Sequence, residues 1–276
     1  MNIALVTDST ADLPQDMIDL YQIKVVPNIL IIDGKQVEDG VGITREEFYE
    51  RLPTMKSFPT TSTASIGTYQ RTYENLLNDG ADGVISIHVS KNLSGIFNAA
   101  SSAAEIVSER IMVVDSQQLT LGLGFQVIAA AEAIVQGATL KQILTVVEDV
   151  RKRVVVIAML DTLEYLARSG RVSWARARIG NLLRIKPFVK VQMGEVIRMG
   201  DVRTRKNGIN RLKTILLELG QIERLAFLHT SAQGDINQIC EDIKINLPES
   251  LMEVYVTTVI GAHVGPNGIG FAAVVK

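Results

Sequence analysis

The chain is poor in the residues that usually announce a chemistry. A single cysteine, Cys240, stands among 276 residues, which excludes an internal disulfide and a Cys-rich zinc site. Cys240 shares one helical face with Ile236, Ile239 and Ile243, so core packing is its expected role. The three histidines are His88, His229 and His263. No two of them have ligand spacing with an acidic partner, and no metal is expected. Aromatics make up 5% of the sequence, so the core is expected to be aliphatic. No apolar run reaches the ~18 residues of a membrane span, and the N-terminus lacks the basic and apolar regions of a signal peptide. A cytoplasmic location is the expectation. Gly122-Leu123-Gly124 lacks the third glycine of a dinucleotide fingerprint, and no Walker-type loop appears, so no cofactor is expected. Paired carboxylates for glycoside chemistry cannot be assigned. No linker is rich in Pro or Gly, and no internal repeat or low-complexity tract is visible.

Charge is plentiful but unevenly placed. The net charge is −2. From Arg151 to Lys213, however, 16 Lys+Arg face 4 Asp+Glu, and the remainder of the chain holds 12 and 26. This separation suggests that the middle segment meets something anionic: a phosphate group, an acidic protein partner or nucleic acid. A solvated face balanced by the acidic remainder is the plain alternative.

Hydrophobic periodicity places the elements. The N-terminal half alternates strand and helix signals. Ile3 to Val6, Ile23 to Ile32, Gly83 to Val89 and Ile111 to Val114 read as strands. Pro14 to Tyr21, Ser65 to Leu77, Ser94 to Val107, Gly124 to Val135 and Thr139 to Val150 read as helices. Thr139 and Gln142 have capping-box spacing, with Leu140, Ile143, Leu144, Val147 and Val150 in the buried stripe. Alternating strands and helices predict an α/β fold with a mostly parallel sheet over residues 1–152. From 153 to 276 the rhythm changes. Val154 to Leu160, a hairpin of Pro187–Gln192 and Val196–Met199, Leu225 to His229, Leu251 to Thr258 and Ile269 to Val275 read as strands. A basic stretch, Ser173 to Leu183, and Arg205 to Leu219 read as helices. This predicts a second, mixed-sheet α/β domain.

Two patterns stand out as candidate chemistry. His263-Val264-Gly265-Pro266-Asn267-Gly268 lies between apolar runs. Its glycines and proline predict a rigid turn that presents one imidazole. Hydroxyl residues collect after strand signals: Thr7 to Thr10, Ser90 to Ser94, Ser116, and the loop Thr60 to Ser65. Ligands bind beyond the carboxyl ends of parallel strands, so these hydroxyls predict a polar recess; helix capping is the plainer role for Ser65 and Ser94. Hydroxyls and one imidazole without an evident base suit holding an anion better than transforming it.

Several segments together resemble one family along nearly the whole chain. Thr7 to Pro14 looks like the N-terminal signature of bacterial DegV proteins. Thr61-Ser62, Ser94-Gly95, Gly170-Arg171, Arg203 to Lys206 and the His263–Pro266 turn follow in that family's order. The resemblance implies a two-domain DegV-like fold that binds a long-chain fatty acid between its domains. It also implies a partner, the ATP-binding subunit of fatty acid kinase, which phosphorylates the bound carboxylate. Carried over, Thr61, Ser62, Ser94, Gly95 and His263 bind the ligand, while Arg171 and Arg203 meet the partner or the phosphate. No residue of this chain is then catalytic by itself. Transient contact with a membrane surface fits the same role in phospholipid metabolism. Departures from the family pattern lie at Thr63-Ala64, Ile96-Phe97 and Val264.

Two other readings compete. A hydrolase or acyltransferase using Ser94 predicts turnover without a partner, but Ser94 sits in no G-x-S-x-G elbow. Nucleic-acid binding by the basic segment predicts steep salt dependence. That segment interleaves only Tyr165, Trp174 and Phe188 as aromatics, and no nucleic-acid partner is expected.

Overall fold

The computed structural model describes residues 2–176, 185–243, 248 and 251–276. In chain order the first elements are β1 (Ile3–Asp8), α1 (Gln15–Tyr21), β2 (Lys24–Val26), β3 (Ile29–Ile32), β4 (Lys35–Glu38), α2 (Arg45–Arg51) and β5 (Thr60–Ser62). Then come α3 (Ile66–Asn78), β6 (Gly83–His88), α4 (Ile96–Val107), β7 (Ile111–Asp115), α5 (Leu121–Val135) and α6 (Leu140–Arg153). The remainder begins with β8 (Val154–Met159), α7 (Glu164–Ser169), α8 (Ser173–Arg176), β9 (Lys186–Gln192) and β10 (Glu195–Val202). It closes with α9 (Arg205–Glu218), β11 (Ile222–His229), α10 (Gln233–Ile243), β12 (Leu251–Tyr255), α11 (Thr258–Val264) and β13 (Ile269–Val275).

The chain divides into two compact units. One holds Met1–Ile29, Ser62–Arg153 and Met193–Glu195; the other holds Leu30–Thr61, Val154–Gln192 and Val196–Lys276. A cut near residue 152 therefore describes only one of the crossings, because Leu30–Thr61 goes with the second unit.

The first unit carries a four-stranded sheet in the order β2-β1-β6-β7, parallel throughout. Its strands are near-continuous apolar runs, as both-face burial requires. β6 is buried at every residue. Helix α5 is buried over most of its length and packs on β1, β6 and α6. α6 starts with the expected capping box: the Thr139 N–H donates to Gln142 Oε1 (2.8 Å), and the Gln142 N–H to Thr139 Oγ1 (3.4 Å).

The second unit is built on a mixed sheet ordered β10-β9-β8-β13-β11-β12. β11 and β12 run parallel, while β13 is antiparallel to both β11 and β8. Ile157, Phe188, Leu212, Phe227, Ile236 and Phe271 form its core. Each such side chain contributes roughly 1.5–3 kcal/mol on burial. Cys240 packs partly buried against that core, as expected. A smaller cluster of Leu30, Ile32, Phe48, Tyr49, Leu52 and Ala262 joins a three-stranded sheet, ordered β4-β3-β5, and α2 to α11.

Three expected elements change. The strand expected over Ile23–Ile32 is two short strands in different sheets. Pro27 has no N–H to donate, and the next residue, Asn28, turns its N–H to Ser9 Oγ (3.2 Å). The strand expected over Leu251–Thr258 stops at Tyr255, and His263 sits in a helix rather than a turn. The hydroxyls of Thr257 and Thr258 bond to Asp39, and this closes the strand and starts α11. Of the expected basic helix only Ser173–Arg176 is described as helical; residues 177–183 lie outside the described residues. Among the described residues no helix is long and apolar enough to cross a membrane.

Candidate functional site

In the second unit the site is built around α11. Seven residues are too few for a helix to hold by propensity alone, so its position depends on what grips it. Gly261 lets it press against α2: a Cβ there would lie 2.6 Å from Tyr49 Cζ. Gly265 ends the helix with φ +79°, and a Cβ there would lie 2.8 Å from Tyr165 Cε2. A side chain at either position forces a neighbour to move. Beyond the helix, the Thr230 hydroxyl donates to the Gly265 carbonyl (2.8 Å) and accepts from the Gly268 N–H (2.7 Å). One threonine thus ties the Gly-Pro-Asn-Gly turn that the sequence singled out.

His263 lies on the last turn of α11, with Nε2 2.9 Å from the Thr61 hydroxyl. Burial, and after it the charge of Arg171, pull the imidazole from its ordinary 6.5 down to about 4. At pH 7 it is neutral, with one N–H donor and one lone pair. Which atom donates between Thr61 and His263 follows from the tautomer. Arg171 itself is exposed and donates from Nη1 to the Ser169 carbonyl (2.8 Å). Tyr165, which packs on Gly265, meets Phe58 edge-on with centroids 5.1 Å apart. The Arg168 guanidinium lies 4.3 Å over the Phe58 ring. A hydroxyl, a neutral imidazole, cations and a part-exposed aromatic are therefore grouped within this unit. Arg203 is exposed, just before α9, and makes no side-chain hydrogen bond or ion pair with the described residues.

Ser62, Ser94 and Gly95 belong to the first unit. Ser65, not Ser94, is a helix cap: its hydroxyl accepts from the Thr68 N–H (3.1 Å). α4 is capped by Gly95 without a side-chain bond, so capping does not account for Ser94. Among the described residues the half-buried Ser94 hydroxyl makes no hydrogen bond. Its N–H donates to the Ser90 carbonyl (3.2 Å). Ser62 is exposed, with only a long contact to the Thr63 carbonyl (3.4 Å). The two loops approach each other, since a Cβ on Gly95 would lie 3.8 Å from Thr63 Cγ2. No histidine bonds to Ser94 among the described residues, as a serine nucleophile would need.

The sequence reading missed a buried polar chain in this unit. His88 Nδ1 lies 3.0 Å from Asp8 Oδ2, and its Nε2 lies 2.7 Å from Ser86 Oγ, which accepts from the Tyr73 hydroxyl at 2.8 Å. Burial alone pushes the Asp8 carboxyl up. The His88 imidazole, with Thr10 and the Val89 N–H, overcomes this and holds it below its ordinary value. The order Ser–His–Asp is that of a hydrolytic relay. All three side chains are fully buried, so no substrate reaches Ser86. Ser86 and His88 are two apart on one strand and so share a face, and Val6 stands opposite Ser86 in register. Strand alternation was the available signal; the partner across the sheet was not.

The comparisons agree with this architecture. Residues 2–276 match the model of the DegV family, described as uncharacterised proteins. The chain is 34% identical over 276 residues to protein DegV of Bacillus subtilis, covering 98% of each. It is similar to the solved structure of a DegV family protein from Thermus thermophilus, described with fatty acid binding. There the TM-score is 0.92 at 33% identity, with full coverage of both chains. A structure of DegV from Bacillus subtilis, described as a fatty acid binding protein, gives a TM-score of 0.90 at 33% identity, again with full coverage of both. With its wholly parallel first sheet, its mixed second sheet and a family match along its length, the chain belongs to the DegV family and has its two-domain α/β fold.

Proposed function

We propose that this protein binds a long-chain fatty acid and presents the carboxylate to a separate ATP-binding kinase subunit, which converts it to an acyl phosphate. The observation that carries the reading is the Thr61–His263 pair, a hydroxyl 2.9 Å from an imidazole kept neutral beside Arg171. A fatty acid carboxylate offers two acceptor oxygens. Whichever tautomer holds, the pair keeps one donor for it: the Thr61 hydroxyl where Nε2–H donates to Thr61, or the Nδ1–H where Nε2 accepts from Thr61, and charge on the acceptor strengthens that bond. Ser62 and Ser94, whose hydroxyls have no strong partner among the described residues, are further donors in this reading, with Gly95 beside them. The relatives described as fatty acid binding proteins support the same ligand. The tail supplies most of the affinity: ~15 methylenes at ~0.8 kcal/mol each give on the order of 10 kcal/mol before ordering costs.

In the kinase step a carboxylate oxygen attacks the γ-phosphorus and ADP leaves. Arg171 and Arg203, both exposed, are placed by this reading against the phosphate or the kinase subunit. The sequence carries no Walker-type motif, in keeping with a partner that holds ATP.

Mass spectrometry of the purified protein, native and after organic extraction, tests the first half. One fatty acid at near one-to-one stoichiometry is expected. No lipid, and no uptake of added fatty acid, would overturn the reading and send the search to covalent labelling of Ser94. With the kinase subunit and ATP, His263→Ala and Ser94→Ala are expected to slow phosphorylation of the bound lipid. Unchanged rates in both would remove these residues from the site.

A further inference from the structure

The second unit takes Leu30–Thr61 from the middle of the N-terminal half of the chain. This excursion ends at Thr61, the partner of His263. Its earlier residues grip the helix that carries His263, and three of them do so through backbone or side-chain groups more than 200 positions away.

Asp39 is 5% exposed, and a carboxylate so buried needs partners. Here they are the Thr258 hydroxyl, 2.6 Å from Oδ1, and the Thr257 hydroxyl on Oδ2. These two threonines are the N-cap and first residue of α11. Tyr49, 2% exposed, donates its hydroxyl toward the Val256 (3.0 Å) and Thr257 (3.3 Å) carbonyls. Its ring stacks on Tyr255, with centroids 4.9 Å apart, and it lies where a Cβ on Gly261 would be. Arg45 Nη1 donates to the Tyr255 carbonyl. Together these bonds cover the chain from the end of β12 into the first turn of α11. The imidazole sits at the other end of the helix.

We propose that Asp39 and Tyr49 are positioning residues for His263, setting where α11 starts and hence how its imidazole meets Thr61. The excursion then acts as one device: it supplies a ligand hydroxyl at its end and fixes the helix that carries the imidazole from its middle. The consequence for lipid rests on the proposed fatty-acid reading; the positioning itself does not.

The test follows His263 directly. The imidazole is titrated by NMR in the full chain without lipid, for the wild type, Asp39→Ala, Asp39→Asn and Tyr49→Phe. Fatty acid affinity is measured in parallel, corrected for the folded fraction. Asp39→Ala frees two threonine hydroxyls and loosens the first turn of α11. The His263 midpoint is expected to rise by about one pH unit or more as water reaches the ring, and affinity for a long-chain fatty acid to fall about 10-fold, as lost anchor bonds of this kind imply. Asp39→Asn keeps one acceptor and the shape, and is expected to restore most of both. Tyr49→Phe, which removes one hydroxyl, serves if Asp39→Ala does not fold, and is expected to shift the midpoint in the same direction by less. A wild-type midpoint and affinity in every folded variant, with only the melting temperature lowered, would overturn the proposal. If the wild type binds no fatty acid, the functional reading fails while the NMR shift still decides the positioning.

Discussion

Acidification between pH 7 and pH 4.5 is expected to destabilise this protein through His263. In the folded state its imidazole titrates at about 4, against 6.5 as an ordinary histidine. The unfolded chain therefore takes up a proton on falling through 6.5, and the folded chain does not until about 4. Stability from this group is complete above the unfolded value and is lost across that interval. At pH 4.5 the unfolded histidine is almost fully protonated and the folded one mostly neutral, which costs about 2 kcal/mol relative to pH 7. Urea unfolding at pH 7.0 and 4.5, in the wild type and in His263→Gln, isolates the effect, because Gln does not titrate and other groups cancel in the difference. The wild type is expected to lose about 2 kcal/mol more than the variant. Arg171→Gln removes the second cause of the depression, so its loss is expected to be smaller than the wild type's. Equal losses in wild type and His263→Gln would refute the claim that a half-buried, neutral imidazole faces Thr61.

Two further outcomes follow from close packing and burial. Gly261→Ala places a methyl against the Tyr49 ring and is expected to cost about 1–3 kcal/mol by overpacking. Adding Tyr49→Ala is expected to show strong non-additivity in a double-mutant cycle, and additive costs would mean that the two positions do not press on each other. Asp8→Ala leaves His88, Thr10 and the Val89 N–H without their buried acceptor and is expected to cost about 1–3 kcal/mol or more in denaturant unfolding, as buried donors left unsatisfied do; no measurable loss would show that these groups are not buried in solution.

Local signals made the helices legible. The stripe of α6 and its Thr139–Gln142 box needed only residues three and four apart. The parallel first sheet followed from apolar runs alternating with helices. The hydroxyl loops and His263 were visible because few other residue types compete for attention in this chain. What failed were features decided by a distant partner. Pro27 could have warned that Ile23–Ile32 would not stay one strand, but not that its second half would join another sheet. The start of the helix that carries His263 is bonded by Asp39 and Tyr49 from more than 200 residues away, and no local pattern records their coming.

The sequence by itself determined the α/β class, most helices and strands and the candidate residues, because periodicity, capping and composition act over a few residues. The expected aliphatic core is instead centred on buried aromatics such as Phe48, Phe125, Phe188, Phe227 and Phe271, which are few but the largest apolar groups to bury. Only the tertiary structure decided that Leu30–Thr61 joins the second unit, that His263 ends a helix facing Thr61, and that Asp8, His88, Ser86 and Tyr73 form one buried chain. Each of these depends on polar groups that lose water on burial and must find partners wherever the fold brings them. That requirement acts through space, and sequence spacing does not carry it.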